Sequence, residues 1–323
     1  MATPRVVVFD DRIPDLDIEA ATFGDLDVDL RLSGGTSEAH VAEDGADATG
    51  IIVDANVPVP GSAIASMDNL EIVARSGIGF DNVDLEAARE HDVRVTNVPD
   101  YCIEEVSTHA LGLILTLGRK LHVYDRETSE GRWEWADGVP IERLSEKTLG
   151  IVGHGNIGSR AAAKAEPFFG RRLAYDPYVT DSSLRDAGVE PASFEVLLSE
   201  ADVVSVHPPL TAETEHMFDA SAFDRMSRGT VLVNTSRGGV VDQEALATAL
   251  DDGTVAAAGL DVLEREPPVD DPLLERDDVV ATPHAGWYSE DAMEELRRAA
   301  AEEVKRAIEG RPAINPVDEH EWA

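Results

Sequence analysis

Short apolar runs alternate with polar, helix-like stretches through the first third of the chain. Five of these runs are rich in valine, isoleucine and leucine and predict strands: residues 5–10, 27–32, 50–55, 70–77 and 93–99. Stretches such as LEAAREH, at 85–91, lie between them. Strands that alternate with helices favour a parallel sheet covered on both faces, so the pattern predicts an α/β unit.

A second alternating series follows a longer apolar segment. Residues 103–122 are long enough for one core helix, which would connect two domains. Further strands are predicted at 148–153, 171–176, 201–209, 229–236, 255–262 and 278–284. A final helix should begin at the N-cap Ser289 and end near Gly310, with an apolar face at three- and four-residue steps.

Acidic residues outnumber basic ones along the whole chain. Lys and Arg total 27 and Asp and Glu total 64, which gives a net charge of −37. The intact apolar periodicity indicates a folded protein, although disordered acidic chains have a similar bulk charge. Nucleic acids and anionic membranes need a basic surface, so neither is expected as a partner. Salt at 1 M screens charge repulsion to within about 3 Å, so we predict a halophile's cytoplasmic protein with an acidic surface.

Several further classes of protein are not expected. Cys102 is the single cysteine, which excludes an intrachain disulfide and fits a reducing cytoplasm. No cysteine–histidine cluster has the spacing of a zinc site, so no metal is expected. No apolar run reaches the roughly 18 residues that indicate a transmembrane helix, and the acidic start lacks the apolar core of a signal peptide.

A glycine-rich loop opens the second series and consists of Gly153, His154, Gly155, Asn156, Ile157 and Gly158. It follows an apolar strand and starts an alanine-rich helix, which is the context that a dinucleotide-binding loop requires. The three glycines would allow a tight turn, the approach of a pyrophosphate and close helix–sheet packing. Asp176 ends the next strand, where a carboxylate would bind the ribose hydroxyls and repel a 2′-phosphate. We therefore predict NAD as the cofactor, in preference to NADP.

Three later strands of this series end in residues that suggest one reaction. The first ends at Arg237, the second at Asp261 with Glu266 shortly after it, and the third at His284. The guanidinium of Arg237 can hold a carboxylate or a keto oxygen, and His284 can exchange a proton near neutral pH. Glu266 beside the imidazole would favour its protonated form. This combination suits the reduction of a ketone by a nicotinamide cofactor.

These motifs together resemble the D-isomer-specific 2-hydroxyacid dehydrogenase family. TLGIVGHGNIG, NTSRGGVVD, GLDVLEREPP and TPHAGW stand in the family's order and spacing, over nearly the whole chain. The resemblance implies that Arg237, Glu266 and His284 are the catalytic residues and that Asp261 lies near the nicotinamide carboxamide. It also assigns residues 75–84 to substrate binding.

The resemblance implies further binding residues. In the substrate segment, the backbone N–H groups of Ile78 and Gly79 would hold the substrate carboxylate, and Arg75 would lie beside them. The remaining cofactor contacts are assigned to Thr235 and Ser236. His207 ends a strand before two prolines, and it would either line the cofactor cleft or have a structural role. The expected substrate is a 2-keto acid or the matching D-2-hydroxy acid.

Two branches of the family compete. NVPDYCIEEVSTH and TPHAGWYSE are most similar to the C-terminal-binding-protein branch, in which Trp287 would face the side chain of the substrate; the other interpretation is a core tryptophan. Phosphoglycerate dehydrogenase is the rival, because Arg75 matches a basic position of its substrate loop. However, residues 53–61 offer Asp54 and no arginine for a phosphate.

We therefore predict an NAD-dependent oxidoreductase of a 2-keto acid, with D-3-phosphoglycerate dehydrogenase as the alternative. A second alternative, from another class, is an NAD-sensing binding protein like the animal corepressors of the first branch.

The resemblance implies two doubly wound parallel-sheet α/β domains. A Rossmann cofactor domain, residues 100–287, would be inserted in a flavodoxin-like substrate domain made of residues 1–99 and 288–323, with the active site in the cleft between them. A homodimer is expected. Trp133 and Trp135 would lie either in an internal contact or at the subunit interface.

Overall fold

The computed structural model describes residues 3–317, which form two compact α/β units. The first unit comprises the described residues up to Cys102 and from Ser289 onward, and the second is Ile103–Tyr288. These boundaries lie close to the predicted ones, while the assignment of the units to substrate and cofactor stays a prediction. Residues 1, 2 and 318–323 of the predicted substrate domain lie outside the described residues.

The strands and helices are labelled in chain order. The strands are β1 Arg5–Phe9, β2 Asp29–Leu32, β3 Gly50–Val53, β4 Ile72–Arg75, β5 Arg94–Thr96, β6 Thr148–Val152, β7 Arg171–Tyr175, β8 Glu190–Pro191, β9 Val203–Val206, β10 Thr230–Asn234, β11 Val255–Leu260 and β12 Val279–Ala281. The α-helices are α1 Asp17–Phe23, α2 Glu38–Asp44, α3 Gly61–Ile64, α4 Leu85–Glu90, α5 Ile103–Gly118, α6 Leu121–Ser129, α7 Asn156–Ala165, α8 Asp181–Asp186, α9 Phe194–Glu200, α10 Ala220–Phe223, α11 Gln243–Asp252 and α12 Glu290–Ile308.

The first unit is built on a five-stranded parallel sheet with the order β2-β1-β3-β4-β5. Every residue of the central strand β3 and of its neighbour β4 is buried, as expected of strands covered on both faces. Gly50 lets α12 pack closely on β3, because a Cβ at that position would come within 2.8 Å of Val304. The predicted parallel sheet is confirmed for this unit.

The second unit contains a seven-stranded parallel sheet with the order β12-β11-β10-β9-β6-β7-β8. The chain moves outward from β6 in one direction through β7 and β8, and then in the other direction through β9 to β12. In open parallel sheets, ligands bind outside the carboxyl ends of the strands at such a reversal. The doubly wound architecture predicted for this unit is therefore confirmed, and it identifies the sheet edge at which a site is expected.

The single helix predicted over 103–122 is wrong. The helix α5 ends at Gly118, Lys120 adopts a left-handed φ of +50°, and α6 begins at Leu121. Buried side chains recur along α5 as far as Leu117, whereas α6 buries none of its residues. Tertiary packing of an apolar face supplies most helical stability in proteins. The segment that forms α6 has no buried face, so packing does not hold it on the axis of α5.

Trp133 and Trp135 follow α6 and lie at the surface of the second unit, with 86% and 75% of their areas exposed. Of the two interpretations drawn from the sequence, internal packing is therefore wrong. A role at a subunit interface stays a prediction.

The long C-terminal helix α12 begins as predicted. The Oγ atom of Ser289 accepts a hydrogen bond from the N–H of Ala292 at 3.0 Å, as an N-cap residue should. The predicted apolar face is buried at Leu296, Ala300 and Val304. The same helix also buries two charged side chains, Arg297 and Glu303, which its apolar periodicity does not reveal.

Arg297 forms a buried ion pair with α1. Its Nε and Nη2 atoms donate to the two carboxylate oxygens of Glu19 at 2.8 and 2.6 Å, and Nη2 also donates to the carbonyl of Asp15 at 2.7 Å. The Glu19 residue is 1% exposed. The two-point contact compensates both charges for the loss of water, which fixes α1 against α12.

The change Glu19→Gln should lower the free energy of unfolding by about 3 kcal/mol, because it leaves the Arg297 guanidinium buried without its carboxylate. Urea unfolding at constant KCl concentration measures the change. The control is Glu294→Gln, which breaks the exposed Glu294–Arg298 ion pair of the same helix and should change stability by less than about 0.5 kcal/mol. Equal effects of the two changes would show that the buried ion pair contributes no more to the free energy of unfolding than the exposed pair does.

Candidate active site

The predicted site residues of the second unit follow the carboxyl ends of neighbouring strands. In the order of the sheet these residues are His284 after β12, Asp261 after β11, Arg237 after β10, His207 after β9, Gly153 after β6 and Asp176 after β7. Because parallel strands present their carboxyl ends at one edge, groups far apart in sequence are aligned there. The fold thus brings the predicted catalytic and cofactor residues of this unit to a single edge.

Glu266 and His284 are in direct contact. The Nδ1 atom of His284 lies 2.7 Å from Oε2 of Glu266, and the N–H of Leu263 donates to Oε1 of the same carboxylate at 2.9 Å. With both oxygens engaged, the carboxylate is held in one orientation and fixes that of the imidazole. The second ring nitrogen, Nε2, is then the atom of His284 that can exchange a proton with a substrate.

The pKa of Glu266 lies below its ordinary value. Burial alone would raise this pKa, but the hydrogen bond and positive charge of His284, the Leu263 N–H and the charge of Arg237 together outweigh burial. The carboxylate is therefore ionised at neutral pH and stabilises the protonated imidazole. This electrostatic arrangement is the one that a proton donor to a developing alkoxide requires.

His284 has a backbone conformation that side-chain-bearing residues rarely adopt, with φ at +52°. Asp261 stabilises this turn. Its carbonyl accepts the N–H of His284 at 2.8 Å, and its carboxylate accepts the N–H groups of Ala285 and Gly286, each at 2.9 Å. The Asp261 residue is 3% exposed, so its carboxylate is committed to the turn. Its predicted position near a nicotinamide stays a prediction.

Arg237 lies on a tight turn that Asn234 organises. The side-chain oxygen of Asn234 accepts the N–H and the hydroxyl of Ser236, both at 3.0 Å, and its amide donates to the carbonyl of Arg237 at 2.9 Å. The next residue must be small, because a Cβ at Gly238 would lie 2.0 Å from the backbone of Leu263. The sequence indicated Arg237 but not the supporting role of Asn234.

The glycine loop has the geometry that its motif predicts. Gly153 has a φ of +83°, and a Cβ at Gly158 would lie 1.9 Å from the carbonyl oxygen of Gly153. By contrast, a Cβ at Gly155 would meet no atom within 4 Å, so this glycine leaves open space in front of the N-terminus of α7. That space and the N-terminal end of the helix dipole suit the pyrophosphate of a dinucleotide.

Asp176 is held by the backbone beside this loop. Its Oδ2 accepts the N–H of His154 at 2.7 Å, and its Oδ1 accepts the N–H of Tyr178 at 2.9 Å. A carboxylate in this position can bind ribose hydroxyls with its remaining lone pairs.

Three polar atoms near the same edge have no hydrogen-bond partner within the described part of the chain although they are buried. They are Nε2 of His154, Nδ1 of His207 and Oγ1 of Thr235. Buried polar groups are rarely left without a partner unless a ligand or water satisfies them. Removal from water, with a smaller effect of His154, lowers the pKa of His207 to about 4. The residues present therefore fit a dinucleotide cofactor, with neutral imidazoles beside it.

The predicted substrate segment lies in the first unit, after β4. Gly77 has a φ of +141°, and a Cβ there would overlap the Arg75 guanidinium, which donates to the carbonyl of Ser76 at 3.0 Å. The side-chain amide of Asn97 donates to the carbonyl of Ile78 at 2.7 Å. The N–H groups of Ile78 and Gly79 donate to no acceptor among residues 3–317. Two such donors side by side suit an anionic group.

Arg12 is a candidate site residue of the first unit, in addition to Arg75, that was not predicted from the sequence. Arg12 follows β1 and forms an ion pair with Asp54, a buried residue that follows β3, and its Nε donates to Asp10 at 3.2 Å. Burial raises the pKa of Asp54 although Arg12 acts in the opposite direction. An arginine directly after a buried strand was the signal available, the same one that indicated Arg237.

Trp287 follows the His284 turn and is partly exposed. Its ring meets that of Tyr288 edge-on, with the centroids 5.6 Å apart. The predicted contact of Trp287 with a substrate side chain stays a prediction.

Comparison with known proteins identifies relatives of the same kind throughout. The family model of the D-isomer specific 2-hydroxyacid dehydrogenase NAD-binding domain matches residues 111–286. The glyoxylate reductase of Korarchaeum cryptofilum is 40% identical over 252 residues, which cover 76% of each chain. The D-3-phosphoglycerate dehydrogenase of Archaeoglobus fulgidus is 38% identical over 269 residues, or 83% of this chain and 51% of that protein. The chain thus spans about half the length of the curated phosphoglycerate dehydrogenases that it matches.

Solved structures agree with these sequence relatives. The D-lactate dehydrogenase of Aquifex aeolicus, crystallised with NAD and lactic acid, is 28% identical, with a TM-score of 0.85 over 95% of this chain and 96% of that one.

None of the described helices is long and apolar enough to cross a membrane. Residues 3–317 contain no group of three or more His, Cys, Asp or Glu side chains that could hold a metal ion.

The low pKa of His207 predicts an acid-sensitive step in stability. Between about pH 6.5 and 4 the unfolded chain binds a proton at this imidazole that the folded chain does not bind, so stability falls as the pH falls through this range. The change His207→Gln removes this proton-binding group, so the loss of stability between neutral pH and about pH 4 should be smaller by about 3 kcal/mol. Urea unfolding from neutral pH to about pH 4 measures the difference. The exposed change His91→Gln is the control; if both variants lose stability as the wild type does, the inference is wrong.

Proposed function

Because this chain belongs to the D-isomer specific 2-hydroxyacid dehydrogenase family, we propose that it interconverts a 2-keto acid and the matching D-2-hydroxy acid with NAD as the cofactor. The observation that carries the proposal is the 2.7 Å contact of His284 with Glu266, whose carboxylate also experiences the charge of Arg237. The three residues follow neighbouring parallel strands of the unit that contains the glycine loop.

Proton transfer is the task of His284. In the reducing direction, Nε2 of the imidazolium donates a proton to the keto oxygen as the carbonyl carbon is reduced, and the imidazole is left neutral. In the oxidising direction the neutral ring takes the proton from the hydroxyl group. The ionised Glu266 stabilises the imidazolium and holds the ring through Nδ1.

Arg237 and the segment after β4 bind the substrate in this proposal. The Arg237 guanidinium offers donors to the keto oxygen and the adjacent carboxylate, which polarises the carbonyl. We assign the carboxylate also to the N–H groups of Ile78 and Gly79, since no acceptor in residues 3–317 takes them.

The cofactor is assigned to the glycine loop and the strand ends beside it. The N-terminus of α7 would bind the pyrophosphate, and Asp176 would bind the ribose and disfavour the 2′-phosphate of NADP. His154, His207 and Thr235 each have a buried polar atom for which this ligand supplies a partner. When bound, the nicotinamide supplies or accepts the hydride that changes the oxidation state of the substrate carbon.

The substrate side chain distinguishes the two candidate reactions. Trp287 favours an apolar or aromatic substituent. The relative from Archaeoglobus fulgidus instead favours 3-phosphoglycerate, with D-3-phosphoglycerate dehydrogenase as the alternative activity. Against the alternative, residues 53–61 contain no basic side chain, and the nearby cation of Arg12 is in an ion pair with Asp54. A phosphate would have to compete with that carboxylate.

Turnover of a keto-acid panel tests the activity and its mechanism together. The panel contains glyoxylate, pyruvate, phenylpyruvate and 3-phosphohydroxypyruvate, each followed by NADH or NADPH oxidation in molar KCl. We expect turnover with NADH, strongest for an uncharged or aromatic side chain. The changes Arg237→Gln and His284→Gln should each lower kcat/KM by a factor on the order of 10² or more.

The control for this experiment is His216→Gln, which breaks an exposed His–Glu pair of the same unit, where His216 Nε2 lies 3.1 Å from Glu264. It should leave the rate unchanged. Unaltered rates in Arg237→Gln and His284→Gln would refute the mechanism. Strong preference for the phosphorylated substrate would establish the alternative activity. If no keto acid were turned over and the chain captured a protein only in the presence of NAD(H), the binding-protein alternative would be favoured.

We also propose that the protein is a cytoplasmic homodimer adapted to high salt. Trp133 and Trp135 support the interface, because two indoles in one short segment at 86% and 75% exposure are typical of residues that a partner surface covers. The net charge of −37 supports the second part, since concentrated salt screens the repulsion that such a charge creates.

Sedimentation and thermal unfolding from low to molar KCl test this proposal. The wild type should be dimeric in molar KCl, and its Tm should rise with KCl concentration. The double change Trp133→Ser/Trp135→Ser should shift the dimer towards monomer with little loss of unit stability. Tyr178→Ser, at a similarly exposed ring that is 74% exposed, is the control and should leave the dimer intact. A monomeric wild type or a Tm independent of salt would contradict the corresponding half of the proposal.

A further inference from the structure

His109 connects the helix α5 to the turn that carries His284. The sequence pattern does not single out this imidazole, because it lies among the apolar residues of a core helix. Its Nε2 atom lies 2.9 Å from Oγ1 of Thr282 and 3.5 Å from Oδ1 of Asp261. All of these residues belong to the second unit.

The direction of the hydrogen bonds in this group follows from the chemistry of the partners. The Oγ1 atom of Thr282 lies 2.6 Å from Oδ1 of Asp261. Both oxygens of the Asp261 carboxylate accept backbone N–H groups, and the threonine hydroxyl donates to Oδ1. The hydroxyl proton is then committed, and Oγ1 can only accept from His109. The imidazole of His109 therefore carries a hydrogen on Nε2 and starts a chain from His109 through Thr282 to Asp261.

The end of this chain is the strained backbone around His284. The Asp261 carboxylate that Thr282 orients accepts the N–H groups of Ala285 and Gly286, on the C-terminal side of His284. Left-handed backbone at a residue with a side chain is unfavourable and persists only where the surroundings hold it. Here the surroundings include the Asp261 carboxylate, which in turn contacts Thr282.

The packing around Gly286 leaves little freedom for these groups to move separately. A Cβ at this position would lie 2.7 Å from Oδ2 of Asp261 and 3.3 Å from Cδ2 of His109. The imidazole and the carboxylate are thus in contact with the same backbone segment. A displacement of the His109 ring changes the position that Asp261, and hence the His284 turn, can occupy.

We propose that His109 is a positioning residue for His284, acting through Thr282 and Asp261. The inference rests on the proposed function for its catalytic consequence but not for its structural one. Without the Nε2–H donor, the Thr282 hydroxyl and the Asp261 carboxylate lose their fixed orientation. His284 then samples positions from which its proton does not reach the substrate oxygen.

Matched substitutions test the chain link by link. His109→Leu and Thr282→Val remove the donor and the relaying hydroxyl, whereas His109→Gln and Thr282→Ser retain an N–H or O–H in each place. The first two should lower kcat about tenfold to a hundredfold with little change in KM, since misplacement of a catalytic group acts on the chemical step. They should also raise the solvent deuterium isotope effect on kcat, because proton transfer becomes slower. The second two should recover most of the rate.

The pair of deletions should also be non-additive. His109→Leu combined with Thr282→Val should lower kcat no further than one of them does, because both break the same chain. The control is Thr116→Val, two turns along α5, which should behave as the wild type. Wild-type kcat in His109→Leu, or full additivity of the two changes, would overturn the proposal while leaving the proposed function intact.

Hydrogen exchange decides the proposal independently of any activity. In the protein without substrate, the amides of Ala285 and Gly286 should exchange faster in His109→Leu and Thr282→Val, and at the wild-type rate in His109→Gln and Thr282→Ser. Amides of the interior strand β6 should be unchanged in all four, which separates loss of positioning from general destabilisation. Unchanged exchange at Ala285 and Gly286 would overturn the inference even if the wild type turned over no keto acid.

Discussion

The parallel pairing at the carboxyl ends of β10, β11 and β12 is the constraint on which the candidate site depends. Asn234 pairs with Leu260, and Leu260 pairs with Ala281, so the three strands end side by side. The segments that leave these ends carry Arg237, Glu266 and His284. Because a slip of one residue turns side chains to the opposite face of a sheet, the contact between Glu266 and His284 requires this register. The site is therefore a consequence of strand pairing deep in the second unit.

Much of this arrangement could be predicted because its signals are local in sequence. Buried parallel strands read as short continuous apolar runs, and polar residues directly after such runs lie at one sheet edge. The glycine loop is local too, since the positive φ of Gly153 and the close approach at Gly158 are requirements of a few neighbouring residues. The parallel sheets and the strand-end residues follow from these patterns, whereas the doubly wound arrangement was implied by the family resemblance.

The features that could not be predicted depend on partners far away in the chain. Arg297 and Glu19 are separated by 278 residues, and each taken alone is an ordinary charged position on an amphipathic helix. His109 and Thr282 are separated by 173 residues, and a histidine on an apolar helix face gives no sign of what it meets. The break after Gly118 has the same origin, because the buried side chains of α5 end at Leu117 and α6 buries none, which depends on what the distant parts of the chain place against them. Local patterns reveal which residues a fold needs, whereas long-range polar contacts emerge only when the fold is assembled.

The exposed acidic residues of the chain and the buried carboxylate that supports the His284 turn are physically separate. Among the described residues, the buried carboxylates are Glu19, Asp54, Asp261 and Glu303. The structure satisfies them in different ways: Glu19 and Asp54 by arginines, Asp261 and Glu303 by hydrogen-bond donors of the backbone or of a hydroxyl. Dissolved salt screens exposed charges but reaches these short, buried contacts only weakly. A surface can therefore accumulate negative charge, as a salt-rich medium permits, while Asp261 keeps its donors and the His284 turn keeps its geometry.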